Sequence, residues 1–380
     1  MSKFFSYTFK LFFEYKLSFR SLYKCDIVFL DDNYSKLEFK NKILFKIKRR
    51  EIFFYYFIKS IILCLFQKKY DLKFYYYNLL YKKLDPKVAI GHSENENIIN
   101  FKKFYPKAKT ITYQIFGWNR STWLYKEKIS RLKKIYEHSD FFLVYSNQQK
   151  ILLKNIGIKN KKKIFVIGSI KSNEKKMRKK LIEYDILFIS QFRKKGTLWD
   201  YIKSGRIYKN EKFINAFKKN QKFIVKTIQS YCKKYNKRFQ IALVASREDK
   251  NFKKNYEIKY YKQILGKFLP DERNGWSLSE TSALIVVQSS NIGLELEAAG
   301  HKVLFLPLDL RDLDLNRMID SYNLPDSKAI NICRQPNKKK IFKKIDFLLN
   351  PKLSTYNRKN KIYFDKGNRI LRKIITNITR

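Results

Sequence analysis

Residues 283–307, ALIVVQSSNIGLELEAAGHKVLFLP, constrain the fold of this chain more than any other stretch. Two short apolar runs, 284–287 and 303–306, are separated by a polar turn and a segment of helical length. Val, Ile and Leu follow one another in these runs without alternating with polar residues, which is typical of strands buried on both faces of a parallel sheet. Because parallel strands need a crossover connection, the stretch predicts a strand, a turn, a short helix and a second strand.

The turn between the two runs carries a candidate phosphate site. Ligands of open α/β sheets lie at the carboxyl ends of the strands, where Ser289, Ser290 and Asn291 fall. The start of the next helix offers unpaired N–H groups and a partial positive charge, and Gly293 would let the backbone approach a phosphate closely. The carboxylate of Glu295, about one turn further on, would accept hydrogen bonds from ribose or sugar hydroxyls. The alternative is that Ser and Asn only cap the helix and that Glu295 is solvated.

Length and composition predict a folded chain of two domains. At 380 residues the chain is long enough for two hydrophobic cores. A hydrophobic content of 44% and an aromatic content of 17% exclude a disordered protein despite the many charges. The formal net charge of +50 attracts polyanions in general: nucleic acid, anionic lipid headgroups or nucleotide-linked substrates. Lys, Ile, Asn, Phe and Tyr are over-used together, so a biased genome composition is an alternative origin of the excess lysine.

The cysteines and the apolar segments predict a cytoplasmic protein without a membrane span. The four cysteines are scattered and form no CxxC pair, which fits a reducing compartment and indicates neither a disulfide framework nor a zinc site. Lysines interrupt the aromatic N-terminus, so it does not resemble a signal peptide. The most apolar run, 52–66, is too short to cross a bilayer. Tyr and Phe interleaved with Lys would still suit peripheral contact with an anionic membrane surface.

Apolar runs alternate with helical segments along the whole chain, which favours doubly wound α/β domains. Residues 1–169 are predicted to form an N-terminal, acceptor-side Rossmann-like domain, and the charged segment 170–183 a linker. Residues 184–335 are predicted to form a C-terminal Rossmann-like domain that binds a nucleotide donor. The remainder, 336–380, is predicted to form basic helices that pack back on the domains. Two such domains would face each other across a cleft, which suits a donor in one half and an acceptor in the other.

Polar residues follow several of the predicted strands, at the place where α/β folds put their sites. On the acceptor side they are His92, Glu94, Gln114 and Trp118. In the C-terminal half they are Gln191, Arg193 and Arg247. His92 is a candidate base, and the alternative is a strand-end histidine that hydrogen-bonds only to backbone. Trp118 is a candidate for stacking on a sugar, and the alternative is packing in the core.

Several of these segments resemble a family of bacterial surface-carbohydrate (O-antigen) biosynthesis proteins. The segments that carry the resemblance are SSNIGLELEAAGHKV from Ser289, DIVFLDD from Asp26, PKVAIGHSENE from Pro86, YPKAKTITYQIFGW from Tyr105, FVIGSIKSN from Phe165 and ILFISQFR from Ile186. Together they span about 25–307. The family is similar to two-domain glycosyltransferases of the GT-B type and to polymer-building transferases such as CDP-glycerol glycerophosphotransferases, so the resemblance implies that fold.

The resemblance also implies a role for each candidate residue. On the donor side, Ser289, Ser290 and Asn291 with the helix start would hold the phosphates of a nucleotide sugar, and Glu295 would bind its ribose. Gln191 would face the same crevice. Arg193, or alternatively Arg247, would neutralise charge on the departing phosphate. On the acceptor side, Glu94 would act as general base on a hydroxyl of a lipid-linked or glycan acceptor.

The sequence therefore predicts a glycosyltransferase-like enzyme of surface polysaccharide assembly, with a nucleotide sugar as substrate and no cofactor. No metal is expected, because no Asp-x-Asp pair follows a strand; Asp312 and Asp314 have that spacing but fall in a predicted loop. One alternative is a polyol-phosphate or sialic-acid polymer transferase of the same fold. Another is a non-enzymatic nucleic-acid-binding protein, although the basic residues are spread over the whole chain and no nucleic-acid motif stands out, so no specific nucleic acid is expected.

Overall fold

The computed structural model divides the chain into two compact α/β units, one of residues 1–116, 125–174 and 365–380, the other of residues 117–124 and 175–364. It describes residues 16–30, 37–47, 51–67, 71–93, 96–114, 126–158, 163–174, 181–192, 211–244, 252–288, 290–308, 330–350 and 365–379. Helices and strands are numbered below in chain order within these ranges.

The first unit is built on a parallel sheet of six strands. The sheet order is β3-β2-β5-β6-β7-β8, and every neighbouring pair is parallel. A further parallel pair, β1 with β4, lies outside this sheet. The strands are β1 (Lys16–Ser18), β2 (Ile27–Phe29), β3 (Leu44–Lys46), β4 (Glu51–Phe53), β5 (Val88–His92), β6 (Lys109–Tyr113), β7 (Phe141–Val144) and β8 (Ile164–Val166). The helices are α1 (Phe54–Gln67), α2 (Leu72–Leu84), α3 (Asn97–Phe104), α4 (Lys126–Glu137), α5 (Asn147–Asn155), α6 (Ile170–Asn173) and, from the end of the chain, α12 (Arg369–Thr379).

Helices cover both faces of this first sheet, as its continuously apolar strands require. One core cluster contains Val28 and Ala89 of the sheet with residues of α1, α2 and α3. The other contains Ile27 and Val88 with residues of α6 and α12. Because neighbouring residues of one strand point to opposite faces, the two clusters lie on the two sides of the sheet.

The segment expected to begin the linker is part of the first unit. Residues 170–173 form α6, in which Ile170 and Asn173 are buried. The side-chain amide of Asn173 donates to the backbone oxygen of Ile167 (2.7 Å) and to Oδ1 of Asn368 (2.8 Å), just before α12. The linker assignment therefore fails for these residues, because buried contacts with the end of the chain fix α6 to the first sheet.

The second unit contains a parallel sheet of four strands, in the order β10-β9-β11-β12. Its strands are β9 (Tyr184–Ile189), β10 (Phe239–Ala242), β11 (Ser282–Val287) and β12 (Val303–Phe305). Its helices are α7 (Glu211–Lys234), α8 (Phe252–Leu265), α9 (Gly275–Ser279), α10 (Asn291–Ala298) and α11 (Lys338–Leu349). Residues of α7, α8 and α11 pack on one face of the sheet, and residues of α9 and α10 pack on the other.

The predicted strands and helices agree with these elements for most of the chain. The strand, turn, helix and strand of residues 283–307 are β11, α10 and β12. The spacing of the apolar residues Phe53, Phe57, Ile61 and Leu65 predicts a single helix over residues 51–66, but the structure has a strand, β4, before α1, because Glu51 to Phe53 pair with residues 16–18. The basic C-terminal segment divides: α11 packs in the second unit and α12 in the first. Within the described part of the chain, no helix is both long and apolar enough to cross a membrane.

Candidate functional site

The carboxyl ends of β9 and β11 meet at the centre of the second sheet. β9 is followed in sequence by β10 on one side of it, and the chain then returns to place β11 on its other side. The strand order therefore reverses between β9 and β11, and such a switch point is where ligands of open α/β sheets bind. In the strand register Ile189 lies opposite Val287, so Ser190 and Gln191 leave the sheet beside Gln288.

A buried hydrogen-bonded cluster lies directly below this switch point. Ser190 Oγ donates to Glu257 Oε1 of α8 (2.5 Å) and accepts a hydrogen bond from the Tyr261 hydroxyl (2.7 Å) and from the backbone N–H of Phe192 (3.1 Å). Glu257 Oε1 also accepts from the backbone N–H of Val244, after β10 (3.1 Å). Burial, and then the nearby Glu257 carboxylate, raise the pKa of Tyr261 well above its ordinary value, so its hydroxyl remains a donor. The cluster holds the ends of β9 and β10 in fixed positions.

Two buried carboxamides at the same edge of the sheet have polar atoms without partners in the described part of the chain. Oε1 of Gln288, a residue only 2% exposed, accepts no hydrogen bond there. The fully buried Gln221 of α7 likewise has no hydrogen-bond partner among the described residues for either Oε1 or Nε2. The helix ends beside the amino end of β9, where Arg238 O accepts from Ile186 N. Gln221 lies thirteen residues, or about 20 Å, before the end of α7, and β9 is about as long. Gln221 is therefore level with the carboxyl ends of the strands.

The start of α10 supplies backbone groups to this edge. Ser290 is the N-cap residue, and its side chain makes no capping hydrogen bond. The alternative that this serine only caps the helix therefore loses its support. The backbone of Asn291 begins α10; its side chain lies outside the described part.

Gly293 is required by packing between α10 and the sheet. A Cβ atom built on it would lie 2.6 Å from Cγ2 of Val287 and 3.0 Å from Cε1 of Phe305. The free side of this glycine thus faces β11 and β12, and the space that we expected to admit a phosphate is filled by these two side chains. What glycine allows here is close contact between α10 and the strands, which brings the first turn of the helix next to the carboxyl edge.

The two glutamates of α10 are both buried. Glu295 is 9% exposed, so the alternative that it is a solvated surface residue is wrong. Glu297 is 5% exposed and accepts a hydrogen bond from Nδ2 of Asn331 (2.9 Å), which also donates to the backbone oxygen of Val303 (3.0 Å). Glu297 therefore joins α10 to β12 and to the segment around Asn331. Sequence patterns gave no sign of the Asn331 contact, since it depends on a pairing across 34 positions.

His301 lies at the opposite, amino edge of the sheet, after α10 and before β12. Burial lowers the pKa of its imidazole to about 4, against a small opposing effect of the Glu280 carboxylate. Nε2 of His301 is buried and has no partner in the described part of the chain. The ring is therefore a neutral packing group, far along the strand from the switch point.

The protein is expected to lose stability as the pH falls, in part through His301. The unfolded chain protonates this imidazole below pH about 6.5, whereas the folded chain binds the proton only near pH 4, so stability present at neutral pH is lost between these values. We expect a contribution of about 2 kcal/mol between pH 7 and pH 5. Urea unfolding at both pH values measures it, and His301→Gln should show a correspondingly smaller loss. An equal loss in the variant would contradict the assignment.

Of the acceptor-side candidates that the structure describes, His92 ends β5, next to the switch point of the first sheet between β2 and β5, and Gln114 follows β6. His92 is the buried last residue of β5, and its ring centroid is 6.2 Å from that of Tyr113. Ser93 follows it; its Oγ is buried and has no hydrogen-bond partner among the described residues. Gln114 is held in place: its Nε2 donates to Gln149 Oε1 (3.1 Å), and its Oε1 accepts from the backbone N–H that follows β7 (3.0 Å).

Several predicted site residues fall outside the described part of the chain. They are Glu94, Trp118, Arg193, Arg247 and Ser289, together with Asp312 and Asp314 of the weighed metal pair. Of the candidates whose side chains are described, Gln191, Ser290 and Glu295 belong to the ends of β9 and to α10 in the second unit, and His92 and Gln114 to the first. The Ser190–Glu257–Tyr261 cluster and the amides of Gln221 and Gln288 were not predicted. These residues lie in separate helices and strands, far apart in sequence, so no local sequence motif indicates that they come together.

The comparisons with known proteins agree with this architecture. Residues 123–371, more than half of the chain, match the sequence model of a family described as "putative O-antigen biosynthesis protein". The match confirms the resemblance drawn from the motifs, but over a different range: it leaves out the segments before residue 123 and extends beyond 307 into α12. No match was found among curated proteins.

Solved structures with a similar fold include UDP-GlcNAc 2-epimerases. The enzyme from Methanocaldococcus jannaschii is 14% identical, with a TM-score of 0.54 over 92% of this chain and 99% of its own. A second UDP-N-acetylglucosamine 2-epimerase is 12% identical, with a TM-score of 0.52 over 93% and 95% of the two chains. The Rickettsia bellii enzyme is 14% identical, with a TM-score of 0.50 over 94% and 96%. At these identities the likeness shows the fold alone, and it confirms the predicted GT-B type architecture of two Rossmann-like domains.

Proposed function

Because this chain belongs to the family described as "putative O-antigen biosynthesis protein", we propose that it binds a nucleotide sugar at the carboxyl edge of the second sheet and transfers the sugar to an acceptor hydroxyl. The observation that carries the proposal is the buried side-chain oxygen of Gln288 at the switch point, which accepts no hydrogen bond from any residue that the structure describes and lies between Ser190 and the start of α10. Unpaired buried polar atoms are costly, and a bound polar ligand would satisfy them.

The residues around the switch point support such a ligand in distinct ways. The first turn of α10 and the uncommitted hydroxyl of Ser290 suit a diphosphate, because N–H groups and the positive helix end point there. Glu295 is buried four residues further along, where a carboxylate would accept from ribose hydroxyls. Gln191, half-buried beside Gln288, would line the same site.

In the proposed reaction, the bond between the anomeric carbon and the phosphate oxygen breaks while the acceptor oxygen bonds to that carbon. Glu94 would take the acceptor proton, and Arg193 or Arg247 would stabilise the charge on the departing nucleoside diphosphate. On the acceptor side, His92 and Ser93 would line the approach to Glu94, since His92 is the last residue of β5 and the other two come directly after it in the sequence. A lipid-linked or glycan acceptor fits the family description.

The similarity in fold to UDP-GlcNAc 2-epimerases favours a second candidate, epimerisation of the nucleotide sugar itself. It would use the same donor edge and need no acceptor. A polyol-phosphate or sialic-acid polymer transferase would also use that edge, with a cytidine nucleotide. All three share the binding of a nucleotide-activated donor by the second unit, and the amide atoms of Gln221 and Gln288 that have no partner among the described residues fit all three.

The expected result is that at least one nucleotide sugar raises the melting temperature of the purified chain. At a ligand concentration of about 100 Kd the stabilisation is about 2.7 kcal/mol, which corresponds to several degrees. The panel contains UDP, CDP and GDP sugars, with the free sugars and inorganic phosphate as controls. NMR of the stabilising donor, with and without a candidate acceptor, then separates transfer from epimerisation. If no nucleotide sugar shifts the melting temperature, the proposal is wrong. A stronger shift with oligonucleotides that survives moderate salt would favour the nucleic-acid alternative.

A further inference from the structure

Helix α1 presents an apolar stripe to solvent. Its fourteen residues, FYYFIKSIILCLFQ, contain a single charge, Lys59. Exposed side chains recur at intervals of three and four along it, so they share one face of the helix. They are Tyr55, Ile58, Lys59, Ile62, Leu65 and Phe66; Gln67, the last residue of the helix, is also exposed. Leu65 is 61% and Phe66 84% exposed, although buried positions would suit such residues far better.

The other side of α1 anchors it firmly in the first unit. Phe57 is buried, and its ring centroid is 6.4 Å from that of Tyr76 in α2. Ser60 is fully buried and donates to the backbone oxygen of Phe57 (2.7 Å). A helix packed through these residues holds its opposite stripe in a fixed outward position.

Basic residues outnumber acidic ones in α1 and in the segment that follows it. Residues 51–84 contain six lysines against Glu51 and Asp71. Glu51 is paired with Arg20 (2.8 Å), and Asp71 caps α2 by accepting from Phe74 N (2.7 Å), so both carboxylates already have partners. Three exposed lysines, Lys73, Lys82 and Lys83, lie on α2, which packs against α1.

We propose that the outward face of α1 docks on an anionic lipid bilayer, with Ile62, Leu65 and Phe66 entering the headgroup region and the lysines of α2 meeting acidic headgroups. A helix of fourteen residues is about 21 Å long, too short for the hydrocarbon core, so it lies on the surface rather than spanning it. Apolar insertion and basic flanks act together in such helices. A second copy of this chain fits the face less well, because self-pairing would bring the lysines of the two copies together.

The inference stands apart from the proposed function, since no donor-site residue takes part. It places the first unit on the membrane, where a lipid-linked acceptor would be found. It also separates a defined docking face from the diffuse attraction that a net charge of +50 produces everywhere on the molecule.

The test is sedimentation of the full chain with vesicles of phosphatidylcholine alone or mixed with phosphatidylglycerol, at moderate salt. We expect binding to the mixed vesicles only. The triple variant Ile62→Ser/Leu65→Ser/Phe66→Ser should bind about tenfold more weakly or worse, because it removes the inserted apolar area. A matched variant with exposed apolar residues changed elsewhere, Leu181→Ser/Leu269→Ser, should bind as the wild type does.

A lysine comparison isolates the charge contribution. Each lysine near an anionic surface contributes about fivefold, so Lys73→Gln/Lys82→Gln/Lys83→Gln should bind about a hundredfold more weakly. The same charge is removed in Lys226→Gln/Lys233→Gln/Lys234→Gln on α7, where little change is expected. Equal losses in both lysine sets with no effect of the serine variant would overturn the docking face. So would failure of the wild type to bind vesicles, combined with self-association that the serine variant abolishes.

Discussion

Replacing Glu295 by Gln is expected to weaken nucleotide-sugar binding by about tenfold or more. The carboxylate is buried in α10, and a ribose that donates two hydroxyl hydrogens to it would face an amide N–H in the variant. Titration calorimetry with the donor that stabilises the wild type measures the change. Without ligand, the melting temperature of the variant should stay close to that of the wild type.

Glu297→Gln is the matched control. It makes the same chemical change two residues further along the same helix, about 200° around its axis. Glu297 accepts from Asn331, and a glutamine oxygen still accepts that hydrogen bond. The donor affinity of this variant should stay within about twofold of the wild type. If both variants lose affinity equally, or if neither loses affinity, Glu295 does not belong to the donor site.

Glu257→Ala is expected to lower the free energy of unfolding of the second unit by about 3 kcal/mol. The substitution leaves the buried Ser190 hydroxyl and the backbone N–H of the half-buried Val244 without the acceptor that they share. Glu257→Gln should cost about 1 kcal/mol, because its oxygen still accepts from both. Urea unfolding followed by circular dichroism measures the series.

Tyr261→Phe tests the same cluster from its other side. It removes the hydroxyl that donates to Ser190 and leaves the acceptor of Ser190 in place, so a cost of about 1 kcal/mol is expected. If Glu257→Ala were as stable as Tyr261→Phe, the carboxylate would not hold β9 and β10 together. The donor affinity of Glu257→Gln adds a functional measure. If the variant loses more binding free energy than unfolding free energy, the cluster positions Gln191.

Local patterns were sufficient for most of the strands. The run at 284–287 became β11, and that at 186–190 became β9, because continuous Val, Ile and Leu can be buried on both faces only in a parallel sheet. The polar residues that follow a strand are likewise visible in sequence, so Gln191 and Ser290 were proposed as site residues without coordinates, whereas Gln288, the first polar residue after β11, was missed. Two short strands, β1 and β4, were not predicted, because each has only three residues and depends on the other for its hydrogen bonds.

The chemistry of the switch point depended on contacts that no local pattern shows. Glu257 lies 67 positions from Ser190, and its carboxylate becomes the acceptor for Ser190 only when α8 packs on the sheet. The reason for Gly293 changed in the same way. Sequence indicated a close approach of a ligand, whereas the neighbours of its missing side chain are Val287 and Phe305.

The sequence by itself determined that this protein has two parallel α/β halves with polar residues at the strand ends, because periodicity and turn residues are local properties of a chain. Only the tertiary structure decided which polar groups are buried together, which of them lack partners, and that one face of α1 remains in solvent. Burial and hydrogen bonding arise between segments far apart in sequence. In the sequence Gln288 is therefore an ordinary strand-end amide, and its importance becomes visible only when β9 is placed beside β11.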